Sequence, residues 1–555
     1  MSSASSSAAM ATKRRRVEAP VIRGVSIGAA SRLRSHLQEH PEDMAFSQTM
    51  AALSHQERKQ HSKLYSEWNV QLVDLKTQEG EVIRWAVPGM AAVLKWHLEN
   101  NPIFEGALQR AARDASPLQV IVYCDEMVPG NPLHPEQRRK LCNWFVSILQ
   151  FDQALSSEYN WLPIATLLSS KMKKLEGGCS QAHRVLMERA LADELGLFNA
   201  GVVIESESGP VLVMFELLDP LADELGLKSI VNIKGSSGLK PCLKCVNVFM
   251  KGHALSNLAG NVDICCFDKA KFEEMTDDDL FDAHDMLAQL KPRLKKTAFG
   301  NKETAYGVNY SPEGVLASHM LRERTHPTKS RFDRMHTLES GGIAELEVNL
   351  LLQSLDESGK FTNKQVTDYC NAGWFGVLGP VQLAFRDNKI KGMASDVLRA
   401  MPILFHFGKV VLQGWDQLKL ASFEALFLVF KQLQYIKFFA DCSKAATDKL
   451  SDLVARHLRL FQQAYTPEKC IPKHHMAMHL GDQYYTDGHY ADCFATERHQ
   501  KLIKAVAEDY NNTKHQLHEF YVLSRANRAM KFEVSNLGAN TVSKTVEFEG
   551  ELQTC

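Results

Sequence analysis

The run Leu118-Gln119-Val120-Ile121-Val122-Tyr123-Cys124-Asp125 constrains the fold of this chain more than any other stretch. Its β-branched, apolar content predicts a buried strand, while most other apolar residues recur at helical spacing. An acid at the C-terminal end of such a strand stands where α/β sheets usually place ligands and catalytic groups; capping of the next turn is the plain alternative. Pro129-Gly130-Asn131-Pro132 then breaks the chain.

Around this strand the pattern is mostly helical. Over 31–113 the pairs Met50 and Leu53, Leu64 and Trp68, and Leu72 and Leu75 predict helices, and helical spacing returns over 134–195. A second β section predicts a hairpin, with Gly201-Val202-Val203-Ile204 and Val211-Leu212-Val213-Met214-Phe215 flanking a Glu-Ser-Gly turn. Ser229-Ile230-Val231-Asn232-Ile233 is a shorter strand candidate. From 270 to 528 the pattern is helical, densest and most apolar over 397–445, and a β-like tail spans 541–548.

The expected architecture is therefore α+β, predominantly helical, with a small interrupted β core inside a helical mass. The divisions are a disordered basic tail (1–25), a helical N-terminal region (26–114), a first β-containing part (115–235) and a cysteine-containing segment (236–270). A helical segment (271–468), C-terminal helices (469–530) and a tail (531–555) follow. At 555 residues the chain exceeds one ordinary core. Contents of 45% hydrophobic and 23% charged residues are globular values, and no apolar run reaches membrane length, so no membrane partner is expected. With 64 Lys+Arg against 65 Asp+Glu, any basic surface must be local. The 12 cysteines are mostly scattered, which suits a reducing compartment. Lys13-Arg14-Arg15-Arg16 resembles a nuclear localisation signal, so the nucleus is the expected location.

Several residues have side chains suited to chemistry. Asp125 closes the first strand, Asp223 follows the second β section with Asp219 as its competitor, and Glu497 lies on a late predicted helix. Acids from two strand ends and a helix could converge on two divalent cations, and hard carboxylate ligands suit Mg²⁺ or Mn²⁺. Glu497, Lys501 and Lys504 share one helix face, pairing a carboxylate with two cations. Cys242 and Cys245 form a CxxC that predicts half of a structural zinc site, with His253 and either Cys265 or Cys266 completing it. His475 and His479 stand one helical turn apart next to His474, and packing with support of a nearby carboxylate is the expected role. No P-loop, GxGxxG, GxSxG or HExxH occurs, which removes the common kinase, dehydrogenase, hydrolase and metalloprotease readings.

Taken in order, these residues resemble a known family. The series is Asp125 with Asn131-Pro132, then Asp223 ahead of Cys242 and Cys245, then Phe332-Asp333-Arg334-Met335-His336. Pro472-Lys473-His474 through His479 follows, and then Thr496-Glu497-Arg498-His499 with Lys501 and Lys504. This is similar to the DDE transposases of the CACTA (EnSpm) and Kyakuja–Dileera–Zisupton elements, over roughly residues 115–512. The resemblance implies an RNase H-like core interrupted by a zinc-binding segment and a large all-helical insertion. It implies two-metal cleavage and strand transfer on double-stranded DNA at transposon ends, commonly by a homo-oligomer. The catalytic acids would be Asp125, Asp223 and Glu497. Lys473, Arg498, His499, Lys501 and Lys504 would contact DNA phosphates, and His475, His479, Asp333 and His336 would support the acids. Two other readings stay open: a catalytically silent, domesticated DNA-binding descendant, and a helical interaction protein whose acids are surface residues.

Overall fold

A computed structural model describes residues 44–541 apart from 115, 130–138, 207–208, 373–383, 510–512 and 514. The basic run Lys13 to Arg16, the Gly130-Asn131-Pro132 break and the tail over 542–555 lie outside the described residues. The protein is α+β, with many helices around a mixed sheet.

The predicted strand forms as β3 (Leu118–Met127) after an N-terminal hairpin of β1 (Gln71–Lys76) and β2 (Val82–Val87). It is followed by β4 (Leu141–Ile148), β5 (Leu162–Leu168), the hairpin β6 (Val202–Ser206) and β7 (Gly209–Val213), and then β8 (Phe215–Leu217) and β9 (Leu221–Ala222). Two short strands, β10 (Val248–Phe249) and β11 (Val262–Asp263), pair with each other, and β12 (Arg331–Phe332) returns to the main sheet. The main sheet runs β12-β9-β3-β4-β5, with β8 also paired to β3. β3, β4 and β5 are antiparallel neighbours, whereas β8 and β9 lie parallel to β3, and β12 parallel to β9.

Every residue of β4 and β5 is buried, and β3 is buried along nearly its whole length. A strand covered on both faces needs apolar residues at successive positions, each contributing about 1.5–3 kcal/mol when fully buried. Side chains alternate, so Tyr123 and Asp125 face one side of the sheet while Cys124 faces the other. The helix Phe494–Asp509 covers the Asp125 side, where Asn143 donates to Gln500 Oε1 at 2.8 Å. On the opposite side the helix Gly178–Ala192 brings Cys179 against Cys124.

Three sequence expectations change. Residues 71–87, read as helical through Leu72 and Leu75, form the β1–β2 hairpin, whose turn contains Gly80 at φ 83°. That left-handed conformation favours glycine, and Val73, Val82, Ile83 and Val87 favour extended backbone. The helical reading of 134–195 holds for Gly178–Ala192 but not for β4 and β5. The strand candidate at 229–233 belongs largely to the helix Glu224–Val231, which Asp223 caps. The hairpin over 200–218 forms as expected. Among the described residues, no helix is long and apolar enough to cross a membrane.

Candidate functional site

The chain brings two groups of polar side chains together near the sheet, one acidic and half-open, the other built of cysteine and histidine and closed.

The acidic group gathers at the C-terminal ends of the parallel strands. Asp125 leaves β3 two residues before its end. Asp223 directly follows β9 and accepts the Gly226 amide at 2.6 Å as the N-cap of its helix. Glu497 sits in the first turn of Phe494–Asp509, with its Oε1 3.4 Å from the Tyr123 hydroxyl, which donates to it, and 3.8 Å from His336 Nε2. Burial first, then the charges of Glu497 and Asp223, push Asp125 up to about 7 against the opposing Glu126 amide and His336. Like carboxylates held together in this way repel, and a divalent cation is the usual means of relieving such repulsion.

Asp333 organises one flank of this group. It follows β12, is completely buried, and caps the helix Arg334–Leu338. Its Oδ2 accepts from the His336 amide at 2.9 Å and meets His336 Nδ1 at 2.6 Å, while Oδ1 accepts the Cys493 amide at 2.9 Å. The Glu497 amide in turn donates to the Cys493 carbonyl at 3.0 Å. Asp333 therefore sets where the helix bearing Glu497 begins. Burial opposes a charge on His336, but the Asp333 hydrogen bond and the charges of Asp333, Asp223 and Glu497 outweigh it and raise His336 to about 9.

The other expected residues divide sharply. Lys473 donates to the Ser340 and Gly341 carbonyls at 3.1 and 2.9 Å and feels the charges of Asp223 and Asp333, which places it at the rim of the acidic group. Lys501 is exposed and Lys504 half-buried on the helix of Glu497. Arg498 is turned onto Glu158 at 2.8 Å and the Ser156 carbonyl at 2.5 Å. His499 is buried against Phe145 and the Glu158 carbonyl, so phosphate contact does not fall to it in this arrangement. Asp219 faces elsewhere: both its carboxylate oxygens accept the His326 amide, at 3.0 and 3.1 Å. The charges acting on it are those of Arg331, Asp277 and His326, whereas the charge of Asp223 acts on Asp125.

The second group corrects the expected zinc ligands. Cys242 and Cys245 meet His475 and His479, not His253 and Cys265, and the four ligand atoms lie within 4.8 Å of one another. His479 Nε2 stands 3.4 Å from each sulfur and 3.1 Å from His475 Nε2. A tetrahedral zinc with bonds of about 2.3 Å to sulfur and 2.0–2.1 Å to nitrogen separates S from N by about 3.5 Å. The fit is close, and this buried group could hold a metal such as zinc. Burial opposes a thiolate at Cys242, but hydrogen bonding from Cys245 and the two imidazoles draw it well below the ordinary thiol range. The Lys244 amide also donates to Cys242 Sγ at 3.3 Å. Phe272 stands edge-on to His475 and Phe332 lies near His479, excluding water. His253 instead caps a short turn by accepting the Leu255 amide, Cys265 faces Cys470 and the Pro467 carbonyl, and Cys266 faces the Asp268 carbonyl. Packing and carboxylate support, expected for His475 and His479, give way to ligation geometry.

The two groups are mechanically connected. The helix Leu480–Asp487 begins just after His479, and Gln483 on it accepts the Phe332 amide at 2.9 Å and donates to its carbonyl at 3.2 Å. Asp487 accepts from Arg331 Nε and Nη2, each at 2.7 Å. Strand β12, which leads into Asp333, thus hangs from the element that carries His479. Spacing alone could not reveal the histidine ligands, because they stand far from Cys245 along the chain; the pair at i, i+4 was their one signal. No family model matches the chain, and no curated protein matches it.

Proposed function

We propose that this protein is a metal-dependent DNA transposase or nuclease of the DDE type, with Asp125, Asp223 and Glu497 as its catalytic acids. The observation that supports this reading is that these acids, from the ends of β3 and β9 and the start of one helix, lie near enough for the charges of Glu497 and Asp223 to raise Asp125. The strand order β5-β4-β3-β9-β12 supports an RNase H-like core, the fold implied by the family resemblance. Asp125, Asp223 and Glu497 would hold two Mg²⁺ or Mn²⁺ ions, which when bound activate the attacking oxygen and stabilise the leaving one.

The chain's own residues would divide the remaining work. Asp333 and His336 orient Glu497, and Lys473, Lys501 and Lys504 offer cations to phosphates at the rim. The Cys242, Cys245, His475, His479 centre would hold structural zinc and fix the β12 edge. Double-stranded DNA is the expected partner and the nucleus the expected location.

The test is DNA nicking or joining by the purified full chain in Mg²⁺ or Mn²⁺, on duplexes carrying the terminal repeats that flank its gene. Activity lost in both Asp125→Asn and Glu497→Gln, with unchanged folding by circular dichroism, is the expected result. Cleavage that persists in both variants would refute the assignment. DNA binding without cleavage by the wild type would favour the domesticated, non-catalytic descendant.

A further inference from the structure

Behind Asp125, on the opposite face of the sheet, three cysteines meet. Cys124 on β3, Cys142 on β4 and Cys179 on the helix Gly178–Ala192 are all buried. Cys124 Sγ lies 3.2 Å from Cys142 Sγ and 3.9 Å from Cys179 Sγ, and all three sulfurs fall within 4.8 Å of one another. The register explains the first pair: Cys142 opposes Glu126, so it shares a sheet face with Cys124. None of the three belongs to the acidic group or to the Cys/His centre.

We infer that Cys124, Cys142 and Cys179 form a second, separate metal site, a three-thiolate site for a soft d¹⁰ cation. Bonds of about 2.3 Å to sulfur put ligand sulfurs about 3.8–4.0 Å apart, a spacing the Cys124–Cys179 pair has at 3.9 Å, while the Cys124–Cys142 pair at 3.2 Å would open slightly to take the ion. Sulfur-only ligation in an apolar setting selects soft cations over Mg²⁺ or Ca²⁺. Three thiolates around a divalent ion leave one net negative charge. Cys179 is the second residue of a 15-residue helix, so the positive end of the helix dipole stands against that charge. Binding releases the thiol protons to solvent and involves no change of oxidation state. A disulfide would join two of these sulfurs and leave the third idle, whereas a bound cation uses all three.

Exchange of the purified full chain against ¹¹³Cd²⁺ tests this. Two resonances are expected, one in the all-sulfur range and one in the range of mixed sulfur and nitrogen ligands. Cys179→Ala should remove only the first and lower bound cadmium by one equivalent per chain, while Cys242→Ser should remove only the second. A wild-type spectrum lacking the all-sulfur signal overturns the site without recourse to any variant, which covers the case that Cys179→Ala does not fold. So does an all-sulfur signal that survives Cys179→Ala, or a Cys124–Cys142 disulfide found by peptide mapping of protein purified without reductant.

Discussion

The acidic group and the Cys/His centre both gather side chains able to hold metal ions, but to opposite ends. In the Cys/His centre all four ligands are buried, two aromatic rings cover the histidines, and the ligand spacing matches a tetrahedral ion. In the acidic group Glu497 is half-open, burial and the charges of Glu497 and Asp223 raise Asp125, and a charged His336 stands among them. A closed, matched set holds structure together. An open, mutually repelling set has unsatisfied charge to spend on something that arrives from outside, which is how reactive centres are commonly arranged.

The contrast can be broken experimentally, beginning with the largest effect. Under the proposed activity, Asp125→Asn should lower DNA cleavage by about 10³-fold or more, measured as initial nicking rate. The same substitution should raise the melting temperature at about pH 8 in Mg²⁺-free buffer and change it little at about pH 4. Asp125 is pushed up from the ordinary 3.8 to about 7, so the cost to the folded state builds as pH rises from about 4 to 7 and is fully present above 7. A variant that melts lower than wild type at both values would mean the carboxylates stabilise one another, against the repulsion described above.

Next in size is the closed centre. Cys242→Ser or His479→Ala should release one zinc per chain and cost about 4 kcal/mol or more, read by metal analysis and by denaturant unfolding at fixed zinc. Retention of full stability without zinc would move this centre out of the structural class. Asp333→Ala should cost about 3 kcal/mol, because it strands the Cys493 amide and a charged His336 in the interior.

A smaller and more selective effect concerns His336. Its folded-state value lies at about 9, above the ordinary 6.5, so its pairing with Asp333 stabilises fully below about pH 6.5 and fades as pH rises through 9. The melting-temperature gap between wild type and His336→Gln should be widest near pH 6 and closed by about pH 10. A gap that stays constant across this range would assign the stabilisation to packing. Smallest of all, Lys501→Ala should reduce the slope of log affinity for DNA against log salt by about one.

Sequence reading reached the acids more readily than the sheet that carries them. Asp125 stands out because its strand contrasts with helical surroundings, and Glu497 because it comes last in an ordered series of acids, a cysteine pair and a histidine-rich stretch. β4 and β5 were not, because a strand buried on both faces loses the alternation that distinguishes it from a buried helix. Cys242 and Cys245 declared themselves through close spacing. Their partners did not, since ligation across a long stretch of chain leaves no local pattern. Asp333 was visible only as a motif member; its grip on the Cys493 amide is a tertiary contact without a sequence signature.

The position of the Cys/His centre also bears on how the long helical segment is tolerated. Cys245 and His475 stand at the two feet of a very large loop, and the Gln483 clasp on β12 lies just beyond the second foot. Closing a loop costs entropy that grows only slowly with its length, so one ion at the neck can offset that cost for an insertion of almost any size. On this view the helices between His336 and Lys473 are free to drift in length over evolutionary time, while the neck, together with β12, Asp333 and His336, is the part that must not change.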